Sequence, residues 1–361
     1  MLIGALLLSL AAPAAVQEPA EEPTVGQLMA ALRKRDVEWY ERDRLVDALL
    51  DRGVEGAKAL AKHASTELRE FDADWQKDSA RYLDGFADTA ADLVLDQQPR
   101  GADKEIETLR KEALAVSRGE GLTKERIHAE VDPRLARLRE LLRVTPQAVR
   151  ASDEKLDEKR EALEDLADML DMWAAVWREA AELLAADEAG ADTLRRIKEP
   201  PSVDGRMDAL DAEEVWLTIL ATPMSDRDRR VFEDNRVLSA ELDADEGAGI
   251  LYHNRIRVEL GLHAQAIDLK LCEAGRGHSK DMHDLGFFAH ESPVEGKKTP
   301  SDRAQLAGTS GGAENIARGQ RTGVAAVDAW WYSPGHHRNM LGGGTRIGLG
   351  RFETFWTEMF G

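Results

Sequence analysis

The chain has 361 residues, of which 48 are Lys or Arg and 68 are Asp or Glu, for a net charge of −20 at pH 7. That length exceeds one typical domain and predicts two or three, with apolar residues enough for a sizeable core. The acidity is uneven: 35 basic against 53 acidic residues precede Asp243 and 13 against 15 follow, nets of −18 and −2, which argues against nucleic acid as a partner because each phosphate contact needs a cation.

Residues 1–15 form a short apolar run ending in small residues, Ala11-Ala12-Pro13-Ala14-Ala15, and predict a secretory signal with cleavage near Ala14 or Ala15. The alternative is a retained anchor, although the run is short for a membrane span. Residues 16–23 follow as a polar, Pro-bearing linker. The expected location is therefore outside the cytoplasm: periplasm, cell envelope or extracellular space. Cys272 is the single cysteine, so no intramolecular disulfide forms, and its neighbours Leu269 and Leu271 mark it as a buried, inert thiol.

Residues 24–198 read as an acidic, all-α region. Thr24 with Gln27 is a capping box, and Val25, Leu28, Leu32, Leu45 and Leu49 recur at helical spacing before Gly53. A further helical pattern through Ala57, Leu60 and Ala61 has the outline of one unit of a small helical repeat. Shorter patterns cover Glu105 to Leu114 and Leu135 to Leu142. From Leu156 a long helix carries Leu163, Leu166, Leu170, Trp173, Trp177, Ala180 and Leu184 in one stripe, which must pack against another helix of this chain or of a partner. Packing in the core is the ordinary use of such a stripe; self-association through it is the alternative.

Glu199-Pro200-Pro201-Ser202 ends the helical region, and residues 199–242 read as a linker with a connecting helix from Ser225. The second domain is predicted over 243–361. Asp243 opens a helix that ends at Gly261; Ile267, Leu271, Ala274, His278, Met282 and Leu285 share the face of another that ends at Gly286. Thr299-Pro300 and Thr322 start further helices. Thr345 to Gly350 and Phe355 to Phe360 alternate and predict two paired strands, so the fold class is α+β.

Several ordered motifs fall in this segment: His253-Asn254-Arg255, Phe288-Ala289-His290-Glu291-Ser292-Pro293, Thr299-Pro300-Ser301-Asp302-Arg303, Ala313-Glu314-Asn315-Ile316-Ala317, Ser333-Pro334-Gly335-His336 and Trp356-Thr357-Glu358. Together they resemble the bacterial branch of the CAP superfamily, which holds cysteine-rich secretory proteins, antigen 5 and pathogenesis-related plant proteins, and whose shared unit is also called the SCP-like extracellular domain. The resemblance implies an α-β-α sandwich over about 243–361, with a cavity where two His and two Glu meet and sometimes bind a divalent metal. Matched motif by motif, it assigns His290, Glu314 and His336 to the cavity. The interval in which the animal and plant proteins carry the second Glu holds only Asp328, so the fourth position stays open.

The residues read by themselves commit to less. Two imidazoles and a carboxylate are a donor set for Zn²⁺ or another divalent metal with one position left free. These donors are 24 and 22 residues apart, so only the fold brings them together. His290 is otherwise an ordinary hydrogen-bonded His at a loop edge, and Glu314 a cap on backbone amides after Gly311-Gly312. His337 competes with His336 for the inward position, and His278 reads as a core His. Glu291 and Asp328 are the alternative general bases. Asn254 is expected to tie backbone in the core, and Ser292 and Ser333 precede Pro in turns unlike a nucleophile elbow.

Two functions of different kind follow. The first is an exported, non-catalytic module that presents its His/Glu cavity to a ligand, lipid, cell-wall or protein partner. The second is a metal-dependent hydrolase of peptide or cell-wall material, with His290, Glu314 and His336 on the metal. A periplasmic helical scaffold is the third reading, resting on the Leu163 to Leu184 stripe.

Overall fold

The computed structural model describes residues 22–34 and 36–361; the predicted signal at 1–15 and most of the linker at 16–23 lie outside the described residues. The described chain divides into two compact units, one holding residues up to Ser79 and Glu161–Met207, the other Ala80–Arg160 and Asp208–Gly361.

In the first unit Thr24 caps the helix Val25–Leu32 as predicted, its hydroxyl accepting from Gln27 N while Gln27 Oε1 accepts from Thr24 N. Trp39–Leu50 follows, and then the long helix Val54–Asp96 begins. The predicted stripe lies on the helix Glu154–Ala185, where Leu163, Leu170, Trp173, Ala180 and Leu184 are buried by this chain alone. His63 packs edge-on against Trp173, with ring centroids 4.9 Å apart. Most of the stripe is thus core within the chain, while Leu166 and Trp177 stay partly exposed.

The second unit contains the sandwich. Its sheet has the order β1-β3-β4-β2, with β1 Ala266–Ile267, β2 Ala313–Arg318, β3 Arg346–Phe352 and β4 Phe355–Phe360. β1 runs parallel to β3, whereas β3–β4 and β2–β4 are antiparallel, with Glu314 opposite Met359 and Asn315 opposite Glu358. The helix Leu269–Leu285 covers one face. It approaches very closely because the facing positions lack side chains: a Cβ on Gly350 would stand 2.0 Å from Arg276 N, and one on Gly348 2.4 Å from Cys272 N. Ala244–Glu259, Gly323–Trp331 and Pro334–Met340 cover the other face, where a Cβ on Gly323 would stand 2.0 Å from Asp245 O. The α-β-α arrangement and the α+β class are therefore as read.

Five readings need correction. Ala313–Arg318 forms a strand, so Glu314 is no cap in a Gly-rich loop, and the Ser-Pro-Gly turn is instead the start of the helix Pro334–Met340. Leu285 is 58% exposed and leaves the buried face of its helix. Residues 199–242 are no simple linker: Arg206–Ala221 and Asp226–Ser239 are helices, and Trp216, Ile219 and Phe232 are buried with Val258 and Ala264. The compact units also differ from the predicted boundary near Asp243. Ile106, Ala113, Leu135 and Leu138, from the helices Ala102–Arg118 and Asp132–Leu142, share one apolar cluster with Ile256, Trp330, Trp331 and Trp356. Sequence periodicity shows that a helix has an apolar face but not what meets it, and here two early helices meet the sandwich.

Candidate functional site

Glu314 stands near the start of β2, its side chain 1% exposed. A carboxylate at that depth must be paired to remain charged, and it has two partners. His290 Nδ1 lies 2.9 Å from Oε1, and the guanidinium of Arg303 donates to Oε2. Arg303, on the helix Pro300–Leu306 and itself 2% exposed, also donates to the carbonyls of His290 at 3.1 Å, Lys297 at 2.9 Å and Lys298 at 3.3 Å. One guanidinium thus fixes both the carboxylate and the loop that carries His290. Thr299 sets its position: a capping box with Asp302 starts the helix there.

A carboxylate accepts, so Nδ1 of His290 carries the proton and its Nε2 is left with a lone pair on a ring that is 49% exposed. His336, half-buried on Pro334–Met340, faces that ring with centroids 6.1 Å apart. Its pKa is pushed below the usual imidazole value by burial first and by the neighbouring His290 second, against a smaller opposing pull from Glu358. Asn315, next to Glu314 on β2, donates to His336 O at 3.4 Å and to Glu358 Oε2 at 2.8 Å. Asn339 donates to Glu314 O at 3.2 Å and Asn315 Oδ1 at 2.9 Å, tying the His336 helix to the strand.

The structure brings His290, Glu314 and His336 into one neighbourhood and adds His278, whose Nε2 lies 3.8 Å from Glu314 Oε1. His278 is fully buried and donates from Nε2 to Ala289 O at 3.0 Å, and burial lowers its pKa. His337 is elsewhere: Nδ1 donates to Trp331 O at 2.7 Å and Nε2 accepts from Ser117 at 3.0 Å, so it is a buried tie to the helix Ala102–Arg118. Glu291 points to solvent, 74% exposed and 3.9 Å from Lys298. Asp328 accepts from Tyr252 at 2.8 Å in a separate polar cleft with Asp132 and Arg139. Ser292 closes its own turn by accepting from Val294 N at 3.2 Å. Asn254 bridges backbone as read, donating to Gln265 O at 2.9 Å and accepting from Gln265 N at 2.8 Å.

Arg303 and Glu358 were not singled out from the sequence as site residues, although both stand in motifs that carry the resemblance. The signal for Arg303 was its place one residue after the capping-box Asp302. Glu358 is fully buried on β4, where its Oε1 lies 2.9 Å from His253 Nδ1.

These residues do not fit a three-donor metal site. Both oxygens of Glu314 are committed to Arg303 and His290, and among the described residues no group of three or more His, Cys, Asp or Glu side chains could hold a metal ion. The remaining donors are His290 Nε2 and the imidazole of His336.

The C-terminal segment also matches a known family. Residues 250–353 match the model of the CAP family, the cysteine-rich secretory protein family, and form a CAP domain. The Bacillus subtilis (strain 168) protein YkwD, described as uncharacterized, is 39% identical over 112 residues, which is 30% of this chain and 43% of that one. YlbC, an uncharacterized membrane protein of the same organism, is 34% identical over 109 residues, 30% of this chain and 31% of its own. The chain thus spans less than half the length of the curated relatives it matches. Among solved structures, an extracellular protein from Bacillus anthracis str. Ames containing an SCP domain is 31% identical, with 38% of this chain and 44% of that chain covered and a TM-score of 0.31. Among the described residues no helix is long and apolar enough to cross a membrane.

Proposed function

We propose that the chain is an exported binding module, whose CAP domain offers the rim formed by His290 and His336 to a ligand or partner without transforming it. One observation carries the reading: both oxygens of Glu314, the carboxylate that meets His290, already accept hydrogen bonds, one from His290 and one from Arg303. A catalytic metal bound through Glu314 would need a carboxylate oxygen that is not already engaged. Glu314 instead acts as a support that holds His290 with Nε2 outward. Phe288, two residues before His290, is 47% exposed with its ring 6.5 Å from that of Phe355, so the His290 loop adds an apolar group that suits a lipid, cell-wall fragment or protein with both polar and apolar parts. The single cysteine supplies no nucleophile: Cys272 is fully buried and burial pushes its thiol up to about 11. Export rests on the apolar leader pattern of residues 1–15.

The test uses the purified protein with and without added Zn²⁺. Binding to isolated cell-envelope material is expected, weakened by His290→Ala, His336→Ala and Phe288→Ser. Hydrolysis of peptide or peptidoglycan that a chelator stops and Glu314→Gln abolishes would overturn the reading in favour of the hydrolase.

A further inference from the structure

The first unit carries a cleft of about 520 Å³ whose composition runs against the rest of the chain. Its walls are Lys58, Lys62, Ser65, Thr66 and Arg69 on the helix Val54–Asp96, and Thr193, Arg196, Ile197 and Lys198 at and beyond the end of the helix Glu188–Leu194. Five of these nine are cations and none is an acid, in a chain where acids outnumber bases 68 to 48.

Many arginines of this protein have a carboxylate partner close by, as Arg195 has Asp192 at 3.1 Å and Arg206 has Asp72. Among the described residues, none of Lys58, Lys62, Arg69, Arg196 and Lys198 makes an ion pair. Lys58 and Lys62 are four apart on one helix, a like-charge spacing that destabilises it. A helix C-terminus nearby accounts for a cation at Arg196 or Lys198, but not for the three on the facing helix.

The walls are also fixed to one another. Ser65, 1% exposed, donates to Lys198 O at 2.8 Å, and Arg69 Nε is held to Ser65 O at 2.8 Å. The five cations are all exposed, and the Thr66 and Thr193 hydroxyls that line the cleft with them donate to the carbonyls of Lys62 at 3.0 Å and Ala189 at 3.5 Å. The size is that of a small-molecule site.

We propose that this cleft binds a ligand bearing several phosphate groups. Clustered oxyanions neutralise the five cations together, with Arg69 and Arg196 suited to forked contacts and the lysines to point contacts. The same chemistry is offered by a soluble oligophosphate and by the headgroups of an anionic phospholipid. The site is separate from the CAP domain and does not depend on what the His290 rim binds.

The experiment titrates tripolyphosphate into the full-length protein by calorimetry at low and moderate salt, and co-sediments the protein with vesicles of anionic or of neutral phospholipid. Tripolyphosphate or anionic vesicles are expected to bind, more weakly as salt rises. Lys62→Glu and Arg196→Glu are expected to lower the affinity about tenfold or more. Lys62→Arg and the exposed control Lys77→Glu are expected to leave it unchanged. Binding of tripolyphosphate alone identifies a soluble source, and binding of anionic vesicles alone a lipid one. Failure of both to bind overturns the proposal, as does an equal loss from Lys77→Glu, which would mark the effect as general charge.

Discussion

His290 Nδ1 stands 2.9 Å from Glu314 Oε1, and the other oxygen of that carboxylate belongs to Arg303. The pair therefore has a third member that decides its chemistry. The carboxylate accepts from the guanidinium on one side and from Nδ1 of His290 on the other, which leaves Nε2 as the face that meets a ligand.

Replacing Arg303 should unfold more than the local loop. Arg303→Met leaves the buried Glu314 without its guanidinium, and frees three carbonyls that bound the loop from His290 to Lys298. Removal of one partner from a buried pair costs about 3–5 kcal/mol. Urea unfolding at pH 7 should show a loss of that size. The double variant Arg303→Met/Glu314→Gln should recover part of it, since no uncompensated charge remains; a double variant as unstable as the sum of the singles would contradict the account.

Stability should also fall as pH drops from 7 to 5. Burial lowers the pKa of His278, His336 and His337 from the ordinary 6.5, and takes His63 to about 4, with Arg33 and Arg42 adding to the effect. The native imidazoles then bind protons more weakly than the unfolded ones. Between the two values the unfolded chain holds more protons, so acid favours it. The stability is complete above pH 6.5 and is lost as pH falls towards the depressed native values. Carboxylates with lowered pKa, such as Asp228 and Asp268, contribute in a different window, below their ordinary 3.8. Unfolding free energies at pH 7.5 and 5.0 test this. In His278→Asn the difference between the two should shrink, whatever that change does to stability itself.

Much of the sandwich was legible because its helix starts and stops are local: Thr299-Pro300, Thr322 and Gly286 act where they stand. The terminal strands were legible by alternation. β2 was not, because its polar residues Glu314 and Asn315 are buried to bond Arg303, His290 and Glu358, and buried polar residues break the pattern by which a strand is recognised. His290, Glu314 and His336 were found through the family motifs. Arg303 was passed over because its carboxylate partner is eleven residues away, on another element. The association of residues 80–160 with the sandwich is likewise a matter of which apolar faces meet, and no local signal records it.

That association predicts the behaviour of a fragment. Residues 243–361 alone would lose Ala113, Leu135 and Leu138 from the shared cluster and leave Trp331 and Ile256 uncovered. They would also lose the Asp132 partner of Trp331 Nε1, at 2.9 Å, and the Ser117 partner of His337. Each lost buried partner costs about 1–3 kcal/mol, and the bare apolar face favours aggregation. The fragment is expected to precipitate or to melt well below the full chain in a calorimetric scan. A soluble fragment that melts at the full chain's temperature would mean that the sandwich stands without those helices.

The same unit contains a second buried carboxylate that gathers distant segments. Glu214, on Arg206–Ala221 and 1% exposed, accepts from Tyr82 at 2.6 Å and pairs with Arg150 and Arg160. Burial and this carboxylate together hold the Tyr82 phenol well above its ordinary pKa. Glu214→Leu takes the charge away from Arg150 and the acceptor away from Tyr82, and should cost about 3–5 kcal/mol. Glu214→Gln keeps an acceptor for the phenol and one guanidinium, so its cost should be smaller, about 1–3 kcal/mol. The order separates the two contributions: if Gln and Leu are equally harmful in urea unfolding, charge pairing with the arginines decides the site; if Gln is nearly silent, hydrogen bonding to Tyr82 does. The geometry, with two guanidiniums against one phenol, favours an intermediate loss for Gln, nearer to that of Leu.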